Sequence, residues 1–151
     1  ALAEVEHGCN VHLVATAQEE ETGLGARINA YRLKLDLSLV IDVTYGEHPE
    51  MKEYEYYALN KGPVIGKGPT ISQKIYEGLV NTAKRLEIGH QIECLPRTTG
   101  TDADYVAFTK EGIPTGLVSI PVRYMHTPVE VVSLIDIERT ARLITNFLTQ
   151  V

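Results

Sequence analysis

The chain has no tryptophan, two phenylalanines, two cysteines and fewer basic than acidic side chains, 14 against 20. Each shortage excludes something. Cys9 and Cys94 lie far apart without zinc-ribbon spacing, and one possible pair does not make the disulfide framework of a small secreted domain. A reduced, cytoplasmic setting fits that usage. A formal charge of -6 repels nucleic-acid phosphates and anionic lipid, and no basic patch reverses it, so neither nucleic acid nor membrane is an expected partner. No apolar run approaches the length of a bilayer span. The first residues lack the basic head and apolar middle of a signal peptide. Ala1 to Gly8 reads instead as the last turns of a helix, with His7 near the negative end of its dipole and Gly8 at the left-handed stop position. A helix tail without a start leads us to expect an upstream segment.

What is present suffices for one domain. With 151 residues, 44% of them hydrophobic and 23% charged, the chain can bury roughly two-thirds of the surface its unfolded form exposes. Val11 to Ala17 is short, apolar and β-branched, and reads as a first strand. Leu24 to Leu33 follows as a helix whose start is weakened by Gly23 and Gly25. Leu37 to Val43 is a second strand, apolar enough to predict burial on both faces. Residues 52 to 69, rich in Tyr, Gly and Pro, read as a connection with a short edge strand at Tyr56 to Leu59.

A helix from about Ile71 to Glu87 places Ile71, Ile75, Leu79, Ala83 and Leu86 on one face, opposite Lys74, Glu77, Asn81, Lys84 and Arg85. Gln91 to Leu95 is a third strand, Thr101 precedes a short helix ending near Gly112, and Thr115 to Ile120 is a fourth strand stopped by Pro121. The final helix opens at Ser133, with Asp136 three residues on in a capping-box pattern, and should bury Ile137, Ala141, Ile144 and Leu148. Strands alternating with helices predict a three-layer α/β/α sandwich.

In such folds ligands gather beyond the carboxyl ends of strands, and three places there carry metal-ligand side chains. Glu19 and Glu20 stand in the acidic run Gln18 to Glu21 after the first strand. Adjacent side chains point different ways, so one carboxylate could bind a metal while the other holds an attacking water as general base. The plainer alternative is a solvated loop complementing the next helix dipole. Asp42 interrupts an apolar strand, which is costly unless the carboxylate is paired or metal-bound, or unless it caps the next turn.

His126 lies in a polar loop beyond the fourth strand, where a surface histidine is the alternative; His7, His12, His48 and His90 lack comparable company. In Gly100-Thr101-Asp102-Ala103-Asp104, Thr101 reads as a helix N-cap, and a second role facing substrate is open for Gly100, Thr101 and Asp102. Two carboxylates and an imidazole suit zinc, cobalt or manganese.

Six ordered segments carry a resemblance: Ala15-Thr16-Ala17-Gln18-Glu19-Glu20, Ile41-Asp42-Val43-Thr44, Gly62-Pro63-Val64-Ile65, Gly100-Thr101-Asp102-Ala103, Gly112-Ile113-Pro114-Thr115 and Ser119 through Glu130. Together the chain resembles the tetrahedral aminopeptidases, the self-compartmentalising deblocking or glutamyl aminopeptidases, some of whose members are labelled endoglucanases. The resemblance implies a phosphorylase/hydrolase-like catalytic domain holding two divalent metal ions, zinc or cobalt, and acting on peptides within a hollow homo-oligomer, a dodecamer. It implies that residues 1–151 are the carboxyl-terminal part of that domain. The amino-terminal part, with a histidine ligand and a bridging aspartate, and an inserted β domain have no equivalent here.

Carried across, Glu19 corresponds to the general base, Glu20 and His126 to ligands of one metal, and Asp42 to a ligand of the other. Glu21 departs from the family, which commonly has an apolar or small residue there; a shift by one would make Glu20 the base and Glu21 the ligand. Two rivals stand beside the peptidase: a non-catalytic relative or assembly subunit, and a glycoside hydrolase. Against the latter, Glu19 and Glu20 are neighbours, whereas carboxylates flanking a sugar bond approach from opposite sides.

Overall fold

The computed structural model describes residues 3, 5–49, 51–52 and 56–151. Its elements run α1 (Leu24–Arg32), β1 (Ser38–Tyr45), β2 (Val64–Lys67), α2 (Gln73–Arg85), β3 (Gln91–Cys94), α3 (Asp102–Ala107), β4 (Thr115–Arg123), β5 (Val131–Val132) and α4 (Leu134–Leu148). The sheet has the order β1-β4-β2-β3, with β5 added to the end of β4. β1 lies parallel to β4, from Ser38 beside Thr115 to Tyr45 beside Val122. β2 lies parallel to β3 and antiparallel to β4, with Val64 beside Ser119.

Side chains alternate along β4, and the alternation defines the layers. Val118 packs with Ile65, Ile75, Leu79, Ala83, Leu143 and Phe147, the cluster under α2 and α4. Gly116 shares that face, and a Cβ there would meet the Ile75 side chain at 2.5 Å. Leu117 points the other way, onto Ile71 and onto Ala103 of α3. α1 packs beside α3 through Ala26, Ala30, Val106 and Ile113. Helices therefore cover both faces of a mixed sheet, the α/β/α arrangement expected. Leu79 and Leu143 are completely buried, each contributing about 1.5–3 kcal/mol. α2 forms because its apolar spacing matches the helical period, and Lys74, Glu77, Asn81, Lys84 and Arg85 are all exposed.

Several elements differ from expectation. Val11 to Ala17 is not a strand: it has no ladder partner among the described residues, and Leu13 is 88% exposed. Strand propensity needs a neighbour to pair with, and among the described residues β1 is the last strand on that side of the sheet. For the same reason β1 is not buried on both faces: Ile41, Val43 and Tyr45 are exposed beyond the reach of α2 and α4. The helix tail read into Ala1 to Gly8 falls partly outside the described residues; Val5 to Gly8 are not helical. Around Tyr56 to Leu59, the expected edge strand reduces to one bridge, Tyr57 with Gly46.

β2 is a central strand where a connection was expected. Gly62, Pro63, Gly66 and Gly68 disguise it, although Val64 and Ile65 are wholly buried and Gly66 leaves room for the Leu117 side chain. Pro121 does not stop β4. The Gly46 N–H donates to Val122 O at 2.8 Å, so Pro121 faces the opposite side, between the last residue paired with β2, Ser119, and the first paired with β5, Val122. A missing N–H costs little in that gap. On α4 the buried stripe is Asp136, Thr140, Leu143 and Phe147, while Ile137 and Ala141 are exposed and Ile144 and Leu148 are half-buried. A buried carboxylate turns the helix away from its expected face.

Candidate active site

The acidic run forms a tight turn in front of α1. Gln18, at φ 60°, turns its carbonyl inward to accept from Thr22 N–H at 3.0 Å and Gly23 N–H at 2.9 Å. The two glycines that weaken the helix start make this turn possible. At Gly25 a Cβ would stand 2.4 Å from the Ala17 backbone nitrogen, and at Gly23 (φ 58°) it would strike the Tyr105 ring. Glycine lets the turn lie against both. Glu19 is partly shielded and Glu20 exposed on its crest.

Asp42 lies within β1, on the α3 side of the sheet and beside Ser119 of β4. Its Oδ1 accepts from the Val43 N–H at 2.7 Å. Two positions further, Thr44 is buried and donates its hydroxyl to Glu93 Oε1 at 3.0 Å. Glu93, Ser119 and Tyr57 were not anticipated. The available signal was Gln91 and Glu93, two polar residues at strand period on β3, which places both on one face. Burial pushes the Glu93 carboxyl up; the Thr44 hydrogen bond opposes this and the Asp42 charge adds to it. Burial, then Glu93 and Cys94, pushes the Tyr57 hydroxyl up to about 12.

The raised Glu93 pKa has a definite sign. The folded state holds the proton more tightly than the unfolded chain, so the stabilising contribution is complete below about 4.5 and is lost as pH rises through the folded value. Glu93→Gln keeps an acceptor for Thr44 and removes the buried charge. Thermal unfolding of metal-stripped protein is expected to show this variant more stable than wild type at neutral pH, with the gain gone below about pH 4.5. A gain that persists in acid would rule out charge burial as its cause.

His126 lies just past β4 in a turn with two residues in the left-handed region, Tyr124 at φ 59° and His126 at φ 62°. Such backbone is costly for non-glycine residues and persists only where the surroundings enforce it. Here the His126 N–H donates to Glu130 Oε1 at 2.7 Å, the Thr127 hydroxyl donates to Tyr124 O at 2.6 Å, and the Tyr124 ring rests against His48, centroids 5.3 Å apart. The imidazole Nδ1 reaches Glu20 Oε1 at 3.8 Å. Glu20, rather than Glu21, is thus the member of the acidic run that meets the histidine.

Glu19 and Asp42 both feel the charges of Glu20, Asp102 and His126. The Glu19 carboxyl is raised by burial first, then by Asp42, Asp102 and Glu20, with His126 opposing. Asp42 is also raised, by burial first and by Asp102 and Glu20, while the Val43 hydrogen bond and His126 lower it. Among the described residues no three His, Cys, Asp or Glu side chains close on a common point as a metal cage. The donor chemistry nonetheless fits divalent ions: an imidazole facing a carboxylate, and a half-buried carboxylate on the adjoining strand. Thr101 caps α3 as expected, accepting from Ala103 N–H at 3.1 Å, and Asp102 is buried behind it. Gly100 occupies the left-handed region at φ 71°.

An α/β/α layer carrying carboxylates and a histidine toward one end of adjacent strands is a framework suited to a hydrolase. Residues 1–143 match the M42 glutamyl aminopeptidase family, and the chain belongs to it. It is 38% identical over 138 residues to the lysyl aminopeptidase of Pyrococcus furiosus, covering 91% of this chain and 40% of that protein. It superposes with TM-score 0.84 on aminopeptidase APDkam598 from the archaeon Desulfurococcus kamchatkensis, at 36% identity, across 91% of this chain and 40% of that one. A further match, PhTET1-12s, is a dodecamer, with TM-score 0.73, 26% identity, and 90% and 40% of the two chains covered. The chain spans about 40% of the length of the relatives it matches.

Proposed function

We infer that residues 1–151 form the carboxyl-terminal part of the catalytic domain of a metal-dependent aminopeptidase, which removes residues from the free amino end of peptides. The observation that carries this reading is the approach of the His126 imidazole to Glu20 at 3.8 Å, and the charges of that pair acting on Glu19 and Asp42 support it. Glu20 and His126 would hold one divalent ion and Asp42 the other, zinc or cobalt, with further ligands supplied from outside these residues. Bound ions supply Lewis acidity and lower the pKa of water.

Glu19 carries the proton. It accepts one from the attacking water and passes it to the departing amine nitrogen, a task suited to a carboxylate whose proton affinity is raised by burial and by like charges. Gly100, Thr101 and Asp102 would contact the substrate, a role supported by the action of the Asp102 charge on Glu19 and Asp42. The family is one of metallopeptidases, and the dodecameric relative supports a homo-oligomer, a dodecamer by that likeness. Free Cys9 and Cys94 agree with a cytoplasmic location. Among the described residues no helix is long and apolar enough to cross a membrane.

The complete protein, stripped with chelator and then resupplied with zinc or cobalt, should hydrolyse a panel of free aminoacyl chromogenic substrates only when metal is present, and should leave amino-acetylated versions intact. Turnover that ignores chelation, or none with any substrate after metal is restored, would remove this reading in favour of a scaffold subunit.

A further inference from the structure

The loop leading into α3 contains two aspartates that look alike in sequence and have different surroundings. Asp104 is fully employed: Thr99 N–H donates to its two oxygens at 3.0 and 2.9 Å, Gly100 N–H at 3.0 Å, and the Thr70 hydroxyl at 3.1 Å. Thr99 and Thr101 hydroxyls also bond each other at 2.9 Å. These contacts fix the backbone on both sides of Asp102. Yet Asp102, only 6% exposed, has its Oδ1 buried without a hydrogen-bond partner among the described residues.

Buried carboxylates are seldom left so, because desolvation without a compensating donor or cation is expensive. The neighbours do not relieve it. Asp102 is close enough to Glu19 and Asp42 for their negative charges to repel one another. Asp102 is therefore an acceptor on a fixed backbone beside Glu19 and Asp42, with one oxygen unpartnered among the described residues.

We propose that Asp102 receives the free α-ammonium group of the substrate and so restricts cleavage to the amino end of a peptide. The proposal rests on the aminopeptidase reading above. An ammonium brings what the site lacks, a positive charge carrying N–H donors, and the resulting bond is charge-assisted. An acetylated amino end brings no charge and leaves the carboxylate unpaired, which is the arrangement that rejects an analogue most strongly. The Asp χ2 torsion is broad and two-fold, so the carboxylate turns toward an arriving donor without moving the capped backbone.

The test uses the complete, metal-loaded enzyme and two inhibitors, leucine hydroxamate and isocaproyl hydroxamate, which share the chelating group and side chain and differ in the α-amine. In wild type the amine should strengthen inhibition by about 30-fold, within the range of a charge-assisted bond. In Asp102→Asn that ratio should fall to within about threefold, with unchanged inhibition by the des-amino compound and unchanged metal content. Asp102→Ala carries the same expectation if the amide variant does not fold. An undiminished ratio overturns the assignment, and so does equal weakening of both compounds with loss of metal, which would make Asp102 a support of the metal site. Wild-type enzyme that binds neither hydroxamate in a metal-dependent way defeats the aminopeptidase reading itself.

Discussion

Glu19→Gln is expected to lower kcat of the complete enzyme by about 10²- to 10⁴-fold, the usual range for loss of a general base, while metal content stays at the wild-type level. The amide has the same shape and still offers hydrogen bonds to a water molecule. What it cannot do is accept a proton. KM should change little, because in the proposed role Glu19 acts on the water and the leaving amine rather than on substrate affinity. The companion variant Glu20→Gln should show the reverse order of events, losing metal first and activity as a consequence, because Glu20 is the carboxylate facing the His126 imidazole. Metal analysis beside the activity assay separates the two. If Glu19→Gln emptied the metal site, the one-residue shift would be favoured, with Glu20 as base and Glu21 as ligand. Full activity in Glu19→Gln would remove Glu19 from proton transfer altogether.

Sequence made legible the features whose cause is local. α2 follows from the spacing of Ile75, Leu79 and Ala83, and α3 from a threonine cap that forms the expected bond. Features whose cause is distant in sequence were misread. The apolar run Val11 to Ala17 has the composition of a strand but no strand beside it among the described residues. β2 has the composition of a loop but is held between β3 and β4, with Gly66 lying close against the Leu117 side chain. The candidate site falls between these cases. Its residue types were visible one by one, but their placement depends on β1 lying parallel to β4, which sets Asp42 beside Ser119, and on the loop after Arg123 returning to bring His126 to Glu20. Glu93 could not be placed without the same sheet, since its partner Thr44 is 49 residues away.

Asp136→Ala should be among the most destabilising single changes in the protein, lowering the unfolding free energy by about 3–5 kcal/mol. Asp136 is completely buried, and its two oxygens accept from Gly62 N–H and Asn60 N–H at 2.7 Å each, across 74 and 76 residues. The capping-box pattern is thus only half realised: Ser133 caps α4, but the Asp136 carboxylate clamps a turn rather than returning to the cap. That turn has Asn60 at φ 66° and Gly62 at φ 91°, and a Cβ on Gly62 would lie 1.7 Å from Gly89 O. Its strain is offset by the clamp, by Ser133 Oγ donating to Asn60 Oδ1 at 2.7 Å and by Arg139 donating to Asn60 O at 2.8 Å. Alanine would strand two N–H donors, each costing about 1–3 kcal/mol, and would leave the entry to β2 unheld. Asp136→Asn should cost nearly as much, because one oxygen is replaced by an NH₂ group facing a donor. Arg139→Ala, which removes an exposed bond only, should cost less than about 1 kcal/mol. Urea unfolding of the metal-stripped protein measures all three, and at this size the alanine variant should melt roughly 6–20 °C below wild type. A loss for Asp136→Ala no larger than that for Arg139→Ala would show that the turn holds itself without the carboxylate.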